Sequence, residues 1–357
     1  MGNPLRILHV AGSLGLGGTE KVMQLFVTHL DRSDFAPAVY SPEDGERAAL
    51  IRQAGVEVHI SPDMGKVLDR LRPDLVHVHR AGWPQPEMMR PLRAAGVPVV
   101  ETNVFGRHDP SPSGRAVDRH LFVSHFCAER FGRDTGIPPQ PPHYGVLYNP
   151  VDTDAFLAAL PQGPKFSRPV VGRISRADPG KWSSLALTFL PHTLREVPEM
   201  EYRIIGGIPE ARQWIDEQGL SDRVHFLPPV STDQELAAFY GDCSVLAHAN
   251  DTGESFGLVI AEAMACGLPV VTHPSMGNRD NAQLELVEHG VTGFVARDAE
   301  EFGRAVAYLL LHPDEARRMG RAGREKAVRL YRAQTVTKQL EAIYHELLQS
   351  KGTFCEH

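Results

Sequence analysis

Two glutamates, Glu254 and Glu262, bracket the run Ser255-Phe256-Gly257-Leu258-Val259-Ile260-Ala261. Ser255 is suited to cap a helix, Ala261 to Ala265 are strong helix formers, and Gly267 suits the stop. Along such a helix the two carboxylates stand roughly 12 Å apart. Between them, the free backbone N–H groups near Gly257 and Leu258 can hold a phosphate, because orphan donors and the helix dipole both favour an anion. Carboxylate, anion site, carboxylate is the order of groups that a nucleotide-sugar needs: sugar hydroxyls, diphosphate, ribose. Alternatively, Glu254 is merely a carboxylate favoured by the dipole and Glu262 a solvated helix residue. The apolar neighbours Ile260, Ala263 and Met264 argue that Glu262 is buried, where a carboxylate without a partner is costly.

Cations precede this segment. Arg173, Arg176 and Lys181 follow one another where a strand candidate runs into a loop. At a strand's carboxyl end they can stabilise charge on a leaving diphosphate; the plainer reading is a basic surface loop. Near the N-terminus, Ala11-Gly12-Ser13-Leu14-Gly15-Leu16-Gly17-Gly18-Thr19-Glu20 leads from a strand into a helix, a second candidate anion site. It is neither a dinucleotide fingerprint, since the third glycine would fall at Glu20, nor a P-loop, since no Gly-Lys-Ser/Thr follows.

Other constellations point to structure. Asp152-Thr153-Asp154 is formally D-x-D, a metal–diphosphate signature, but it sits in a proline-rich stretch and not at a strand end. His77 and His79 point the same way from one strand. No third ligand is spaced to join them, and His79 is expected to face a cleft. The seventeen histidines form no H-x3-H cluster. Cys266 reads as a small core residue.

These side chains must be held by a frame. Apolar runs at Leu5–Val10, Ala36–Tyr40, Val56–Ile60, Leu75–His79, Val97–Glu101 and His120–Val123 alternate with amphipathic stretches. Such alternation predicts a parallel sheet with both faces covered. Eight prolines within 134–169 break the pattern, and neither helices nor central strands tolerate that density. Alternation resumes at Pro169–Ile174, Tyr202–Ile205, Val224–Leu227, Ser244–Ala247, Pro269–Thr272 and Gly293–Ala296. Helices are expected from about Asp298 to Gln349, the last with Val336, Leu340, Ile343 and Leu347 on one face that must pack on something. Two doubly wound α/β domains joined by a proline-rich linker result, with expected bounds 1–155 and 156–331 and a terminal helix over 332–357.

Composition fits that frame. A chain of 357 residues, 42% hydrophobic and 23% charged, suits two soluble domains. The net charge of −7 argues against nucleic acid as a partner. Residues 1–150 hold 16 basic and 16 acidic side chains, so the remainder carries the whole excess; the neutral half could touch an anionic surface more easily than the rest. The four scattered cysteines (Cys127, Cys243, Cys266, Cys355) exclude a disulfide scaffold. With no apolar run of about 18 residues and no signal-peptide pattern at the start, a cytoplasmic protein is expected.

Here a resemblance enters. The sequence resembles the group 1 glycosyltransferases (family 4, GT-B fold, retaining) over nearly its whole length. The match is carried by Gly17-Gly18-Thr19-Glu20, Asp74-Leu75-Val76-His77-Val78-His79, Val123-Ser124, Asn149-Pro150-Val151-Asp152, Phe156, Gly172-Arg173 with Lys181, the Glu254…Glu262 segment, and Gly290-Val291-Thr292-Gly293-Phe294. The resemblance implies two Rossmann-like domains facing across a cleft: an N-terminal acceptor domain and a C-terminal donor domain, with the terminal helix crossing back to the first. Glu254 would then hold the transferred sugar and Glu262 the ribose. Arg173 and Lys181 would clamp the diphosphate, Gly17 and Gly18 would close on it, and the base would lie near Gly206-Gly207 and Pro229-Val230. Arg176, Ser255, Phe256, Gly257, Leu258 and Val259 complete the donor set; His79, Asn103 and His108 are the acceptor-side candidates.

The chain departs from the family pattern in three places. The Arg173–Lys181 spacing is longer than usual, so Arg176 competes for the phosphate role. Asn103 stands where a histidine is common, with His108 nearby as a substitute, and Asn149-Pro150 replaces Asn-Gly. The implied reaction is transfer from a UDP- or GDP-sugar to a hydroxyl acceptor (a glycan, glycolipid or small-molecule glycoside precursor), without metal or other cofactor. Peripheral contact with the inner membrane face is compatible with it. The alternatives are a nucleotide-sugar epimerase of the same fold and a non-catalytic nucleotide-sugar binding protein.

Overall fold

The carboxyl ends of two parallel sheets organise everything the sequence singles out. The computed structural model describes residues 3–112 and 114–354, with side chains described as far as Lys351. The first two residues, Ser113 and the last three residues, Cys355 among them, lie outside these. The chain divides into two units: one runs to Pro150 and resumes at Ala333, the other spans Val151–Arg332. These bounds differ by a few residues from 155/156 and 331/332, because the segment after Pro150 opens a helix of the second unit.

The first unit alternates β1 (Leu5–Val10), α1 (Gly18–His29), β2 (Phe35–Ser41), α2 (Glu46–Gln53), β3 (Glu57–Ile60), α3 (Met64–Leu71), β4 (Leu75–Arg80), α4 (Pro86–Ala95), β5 (Val99–Asn103), β6 (Arg119–Phe122), α5 (His125–Thr135) and β7 (Tyr144–Val146). Its seven parallel strands run in the order β3-β2-β1-β4-β5-β6-β7. The order reverses between β1 and β4, and ligands of such sheets bind outside the carboxyl ends at that point.

The second unit holds α6 (Thr153–Ala159), β8 (Val170–Ile174), α7 (Leu185–Thr188), α8 (Leu190–Glu196), β9 (Glu201–Ile205), α9 (Pro209–Glu217), β10 (Val224–Leu227), α10 (Asp233–Asp242), β11 (Val245–Ala247), α11 (Leu258–Cys266), β12 (Val270–Thr272), α12 (Gln283–Leu286), β13 (Gly293–Val295), α13 (Ala299–Leu311) and α14 (Pro313–Tyr331). Its sheet runs β10-β9-β8-β11-β12-β13, reversing between β8 and β11. α15 (Ala333–Phe354) belongs to the first unit, burying Val336, Leu340, Tyr344 and Leu347. Ile343 is only half-buried, and Tyr344 takes the inward position instead.

The proline-rich stretch is more structured than its composition suggests. β7 is a proline-free run of three residues between Pro142 and Pro150, and it pairs at the edge of the sheet. α6 follows, capped by Asp152, whose side chain accepts from Ala155 N at 2.9 Å. Asp154 pairs with Arg332 at 2.8 Å. Both aspartates of the D-x-D pattern thus hold α6 in place.

α11 is buried from Ile260 to Cys266 and stops at Gly267, whose φ of +80° only glycine adopts cheaply. α14 crosses it so closely that a Cβ at Gly320 would stand 2.0 Å from the Gly267 carbonyl oxygen. The cysteines at 127, 243 and 266 are buried thiols. Among the described residues no helix is long and apolar enough to cross a membrane.

Candidate functional site

In the second unit, the reversal point brings together the ends of β8 and β11 and the start of α11. Helix α11 begins later than Ser255: its cap is Gly257, with φ +106° and no side-chain cap. This corrects the expected Ser255 cap, since only a glycine makes that turn readily. Leu258 and Val259 form the first turn, half-buried, with their N–H groups unengaged by a cap. Phe256 anchors the turn from below, edge-on to Tyr331 at 5.2 Å.

Glu254, just before that turn, collects donors. Asn250 Nδ2 donates to its Oε1 at 2.7 Å and His248 Nε2 approaches the same oxygen at 3.2 Å. Lys181 Nζ reaches both oxygens, at 3.3 and 3.4 Å. Burial opposes the charge, but the His248 hydrogen bond and the Lys181 charge outweigh it and hold the carboxyl at about 2. The His248 ring is fixed from behind by Thr272 Oγ1 at 3.1 Å, and the Glu254 backbone N–H donates to Gln283 Oε1 at 3.0 Å. His248, Asn250, Thr272 and Gln283 were not among the residues expected here; their only signal in the sequence is nearness to strand ends or to Glu254.

Arg173 is placed differently from the expected clamp. It is 2% exposed, with one terminal nitrogen on the Ala249 carbonyl at 2.8 Å and the other on the Lys181 carbonyl. Its guanidinium lies 4.2 Å from the Trp182 ring centre, and burial lowers its basicity. Arg173 therefore positions Lys181. Arg176 is exposed in the same loop. Gly206 follows β9 with φ +85°; a Cβ there would lie 1.9 Å from the Ser175 carbonyl oxygen, and Trp182 Nε1 donates to the Gly206 carbonyl at 3.2 Å. Val230 is half-buried after β10.

Glu262 lies just over one turn into α11, 5% exposed, as its apolar neighbours predict. The buried Tyr240 hydroxyl reaches its carboxylate at 3.5 Å and the Val259 carbonyl at 3.3 Å. Burial, and then the Glu262 charge, push that phenol well above its usual range.

In the first unit, Gly17 caps α1 and Gly18 opens it. Glu20 folds back over Gly17, where a Cβ would stand 2.1 Å from its Oε2, and Ser13 Oγ donates to Oε1 at 3.1 Å. The glycine loop already cradles an anion, its own carboxylate.

Two acceptor-side expectations are corrected. His79 does not face open space: it is 2% exposed, with Nε2 3.0 Å from His9 Nδ1 and its ring stacked 4.3 Å from His77. Burial pushes it down to about 3. Asn103 is equally buried, closing the following turn through the Arg107 carbonyl at 2.8 Å and N–H at 3.2 Å. His108 is exposed and lines a cavity of about 370 Å³ with Asp109, Arg115, His120 and Tyr144.

The expectation that His77 and His79 lack a third partner also fails. β1 pairs with β4 so that His9 meets His77, and ligand atoms of the three rings lie within 4.8 Å of one another. Tetrahedral zinc needs its ligand nitrogens about 3.4 Å apart with converging lone pairs. The near-parallel rings of His77 and His79 instead direct their nitrogens to hydrogen bonds, His77 Nδ1 to Tyr344 Oη at 2.6 Å and Nε2 to Thr102 Oγ1 at 2.8 Å.

Two doubly wound units, each a parallel sheet with helices on both faces, make this a GT-B fold. Solved structures agree: HepE from Anabaena, in complex with UDP and glucose, aligns with TM-score 0.76 and 20% identity over 96% of this chain and 100% of that one. A glycosyltransferase from Rickettsia africae aligns with TM-score 0.81 and 16% identity over 97% and 99%. The family model for glycosyl transferases group 1 matches residues 161–326, and that for glycosyltransferase family 4 matches residues 16–155. The chain belongs to the group 1 glycosyltransferases.

Among curated relatives, the GDP-mannose-dependent alpha-(1-6)-phosphatidylinositol monomannoside mannosyltransferase of Mycobacterium tuberculosis is 34% identical over 247 residues, 64% of this chain and 61% of that protein. The N-acetyl-alpha-D-glucosaminyl L-malate synthase of Bacillus anthracis is 33% identical over 151 residues, 41% of this chain and 37% of that protein. The match to the first of these thus covers about three-fifths of its length.

Proposed function

We propose that this protein is a metal-independent, retaining glycosyltransferase that moves a sugar from a UDP- or GDP-sugar to a hydroxyl acceptor. The carrying observation is Glu254, held ionised beside Lys181 just before α11, with Glu262 buried just over one turn into that helix. The diphosphate binds at the first N–H groups of α11, within reach of Lys181, with Arg176 as the exposed second cation. Glu254 then accepts hydrogen bonds from the sugar hydroxyls and Glu262 from the ribose, while the base lies by Gly206 and Val230.

In the reaction the bond from the anomeric carbon to the diphosphate oxygen breaks, and the diphosphate leaves with the electron pair. The acceptor oxygen bonds that carbon on the same face and gives its proton to the departing phosphate. Lys181 stabilises the leaving charge, the task a metal performs elsewhere. The names of the mycobacterial relative and of the UDP-bound neighbour support a nucleotide-sugar donor. The first unit recognises the acceptor.

The test is release of nucleoside diphosphate from a panel of UDP- and GDP-sugars with and without EDTA. Turnover of one donor, undiminished by EDTA, is expected; loss with EDTA and recovery with Mn²⁺ overturns metal independence.

A further inference from the structure

Trp83 is 48% exposed, yet it is built in. Its indole lies on the Phe105 ring at 5.5 Å between centres and 9° from parallel. The two rings ride on the loops leaving β4 and β5, neighbours whose last residues Arg80 and Asn103 are in register. These loops stand at the carboxyl edge of the first sheet, beside the reversal point where such sheets take ligands.

Each ring's backbone carbonyl is held by a buried arginine. Arg80 Nη1 donates to the Trp83 carbonyl at 3.0 Å, and Arg130, 2% exposed, donates to the Phe105 carbonyl. Arg80 is paired with two carboxylates, Glu101 at 2.6 Å and Asp109 at 2.9 Å, all with side chains 2% exposed or less. Gly82 turns between them at φ +95°, where a Cβ would stand 2.3 Å from the Asn103 side chain. Burying charges costs free energy even when they are paired. Here that cost fixes two loops whose outermost feature is an aromatic face left open to solvent, the arrangement expected of a preorganised binding surface.

We propose that Trp83, backed by Phe105, is a stacking subsite for a pyranose ring of the acceptor. One face of a pyranose presents polarised C–H groups to the negative π face while its hydroxyls stay outward in water. Arg80, Glu101 and Asp109 are buried and paired with one another, so what the platform offers to solvent is the aromatic face, which suits a neutral ring. The proposal rests on the glycosyltransferase reading and names the acceptor's chemistry.

The experiment is saturation-transfer NMR on the full chain with the methyl α-glycosides of mannose, glucose and galactose, on wild type and on Trp83→Ala, Trp83→Phe and Trp83→Leu. At least one glycoside should receive saturation at its ring C–H protons. That signal should fall at least fivefold in the Ala and Leu variants and persist in Phe, because Leu keeps bulk but not the π face. If Ala folds poorly by its melting curve, the Phe–Leu pair decides. The proposal is overturned if no glycoside is saturated, if Leu retains the signal, or if the variants instead lose binding to phosphatidylglycerol vesicles. Calorimetry with UDP and GDP separates the readings: failure of both to bind wild type defeats the donor assignment, whatever the glycoside signal shows.

Discussion

Lys181 Nζ stands between the two carboxylate oxygens of Glu254, at 3.3 and 3.4 Å. Without donor, the cation proposed for the diphosphate and the carboxylate proposed for the sugar neutralise each other. Binding then exchanges one partner for two: Lys181 turns to phosphate, and Glu254 is free to accept sugar hydroxyls. The pair is preorganised because Arg173 fixes Lys181 through its carbonyl while Asn250 and His248 fix Glu254.

The two glutamates should accordingly fail in different ways. Glu254→Gln should lower kcat while binding the bare nucleoside diphosphate as well as wild type or better, since Lys181 loses a competing carboxylate. Glu262→Ala should weaken diphosphate binding by about 10- to 150-fold, the loss of one charge-assisted contact. Calorimetry beside turnover for both variants checks this; the reverse pattern means the ligand lies the other way along α11.

Arg173 and Arg176 should separate by stability. Arg173→Ala removes a guanidinium bonded to two carbonyls and stacked on Trp182, so it should cost about 3 kcal/mol and lower Tm by several degrees. Arg176→Ala, at an exposed position, should leave Tm within a degree or so and raise the donor KM. Melting curves and donor titrations decide; an unchanged Tm in Arg173→Ala removes the positioning role.

What could be read from the sequence follows from locality. Strands buried on both faces are continuous apolar runs, so nearly all of them and the Glu254–Glu262 helix were legible without a partner in view. Gly257 displaced Ser255 as the cap because the turn needs a positive φ, which composition does not announce. β7 and α6 were hidden because they are short proline-free runs between flanking prolines, Pro142, Pro150 and Pro161. His9 could not be seen as a partner of His77, since their pairing depends on β1 lying beside β4, a fact of sheet order. His248 and Asn250 carry no spacing signal; only the loop after β11 folds them onto Glu254.

The charge on Glu254 carries its own pH dependence. Its carboxyl is held at about 2 in the folded protein, below an unfolded value near 4.3. A depressed carboxyl stabilises the fold fully above the unfolded value and loses that contribution as pH falls through the folded one. The Tm difference between wild type and Glu254→Gln should therefore move against wild type from about pH 5 to pH 3. A difference constant over that range means Glu254 is not held ionised.

The buried histidines give the opposite group the same sense. Burial pushes His9 and His77 well below 6.5 and His79 to about 3, so all three are neutral in the folded first unit. The unfolded chain binds their protons from about pH 6.5 downward, so stability is full above that pH and falls as pH drops toward the folded values. Up to three protons are taken up on unfolding, a slope reaching about 4 kcal/mol per pH unit at its steepest. Tyr344 makes this testable apart from general acid effects. Its hydroxyl lies 2.6 Å from His77 Nδ1 and 3.3 Å from His9 Nε2, linking α15 to the rings beneath it. Tyr344→Phe leaves those nitrogens without that partner at roughly 1–3 kcal/mol, a penalty expected at pH 8 as well as pH 6. A triple substitution of His9, His77 and His79 by Gln should instead flatten the stability loss between pH 7 and pH 5. Denaturant melts at each pH measure both, and a triple variant with the wild-type slope would show that the acid sensitivity arises elsewhere.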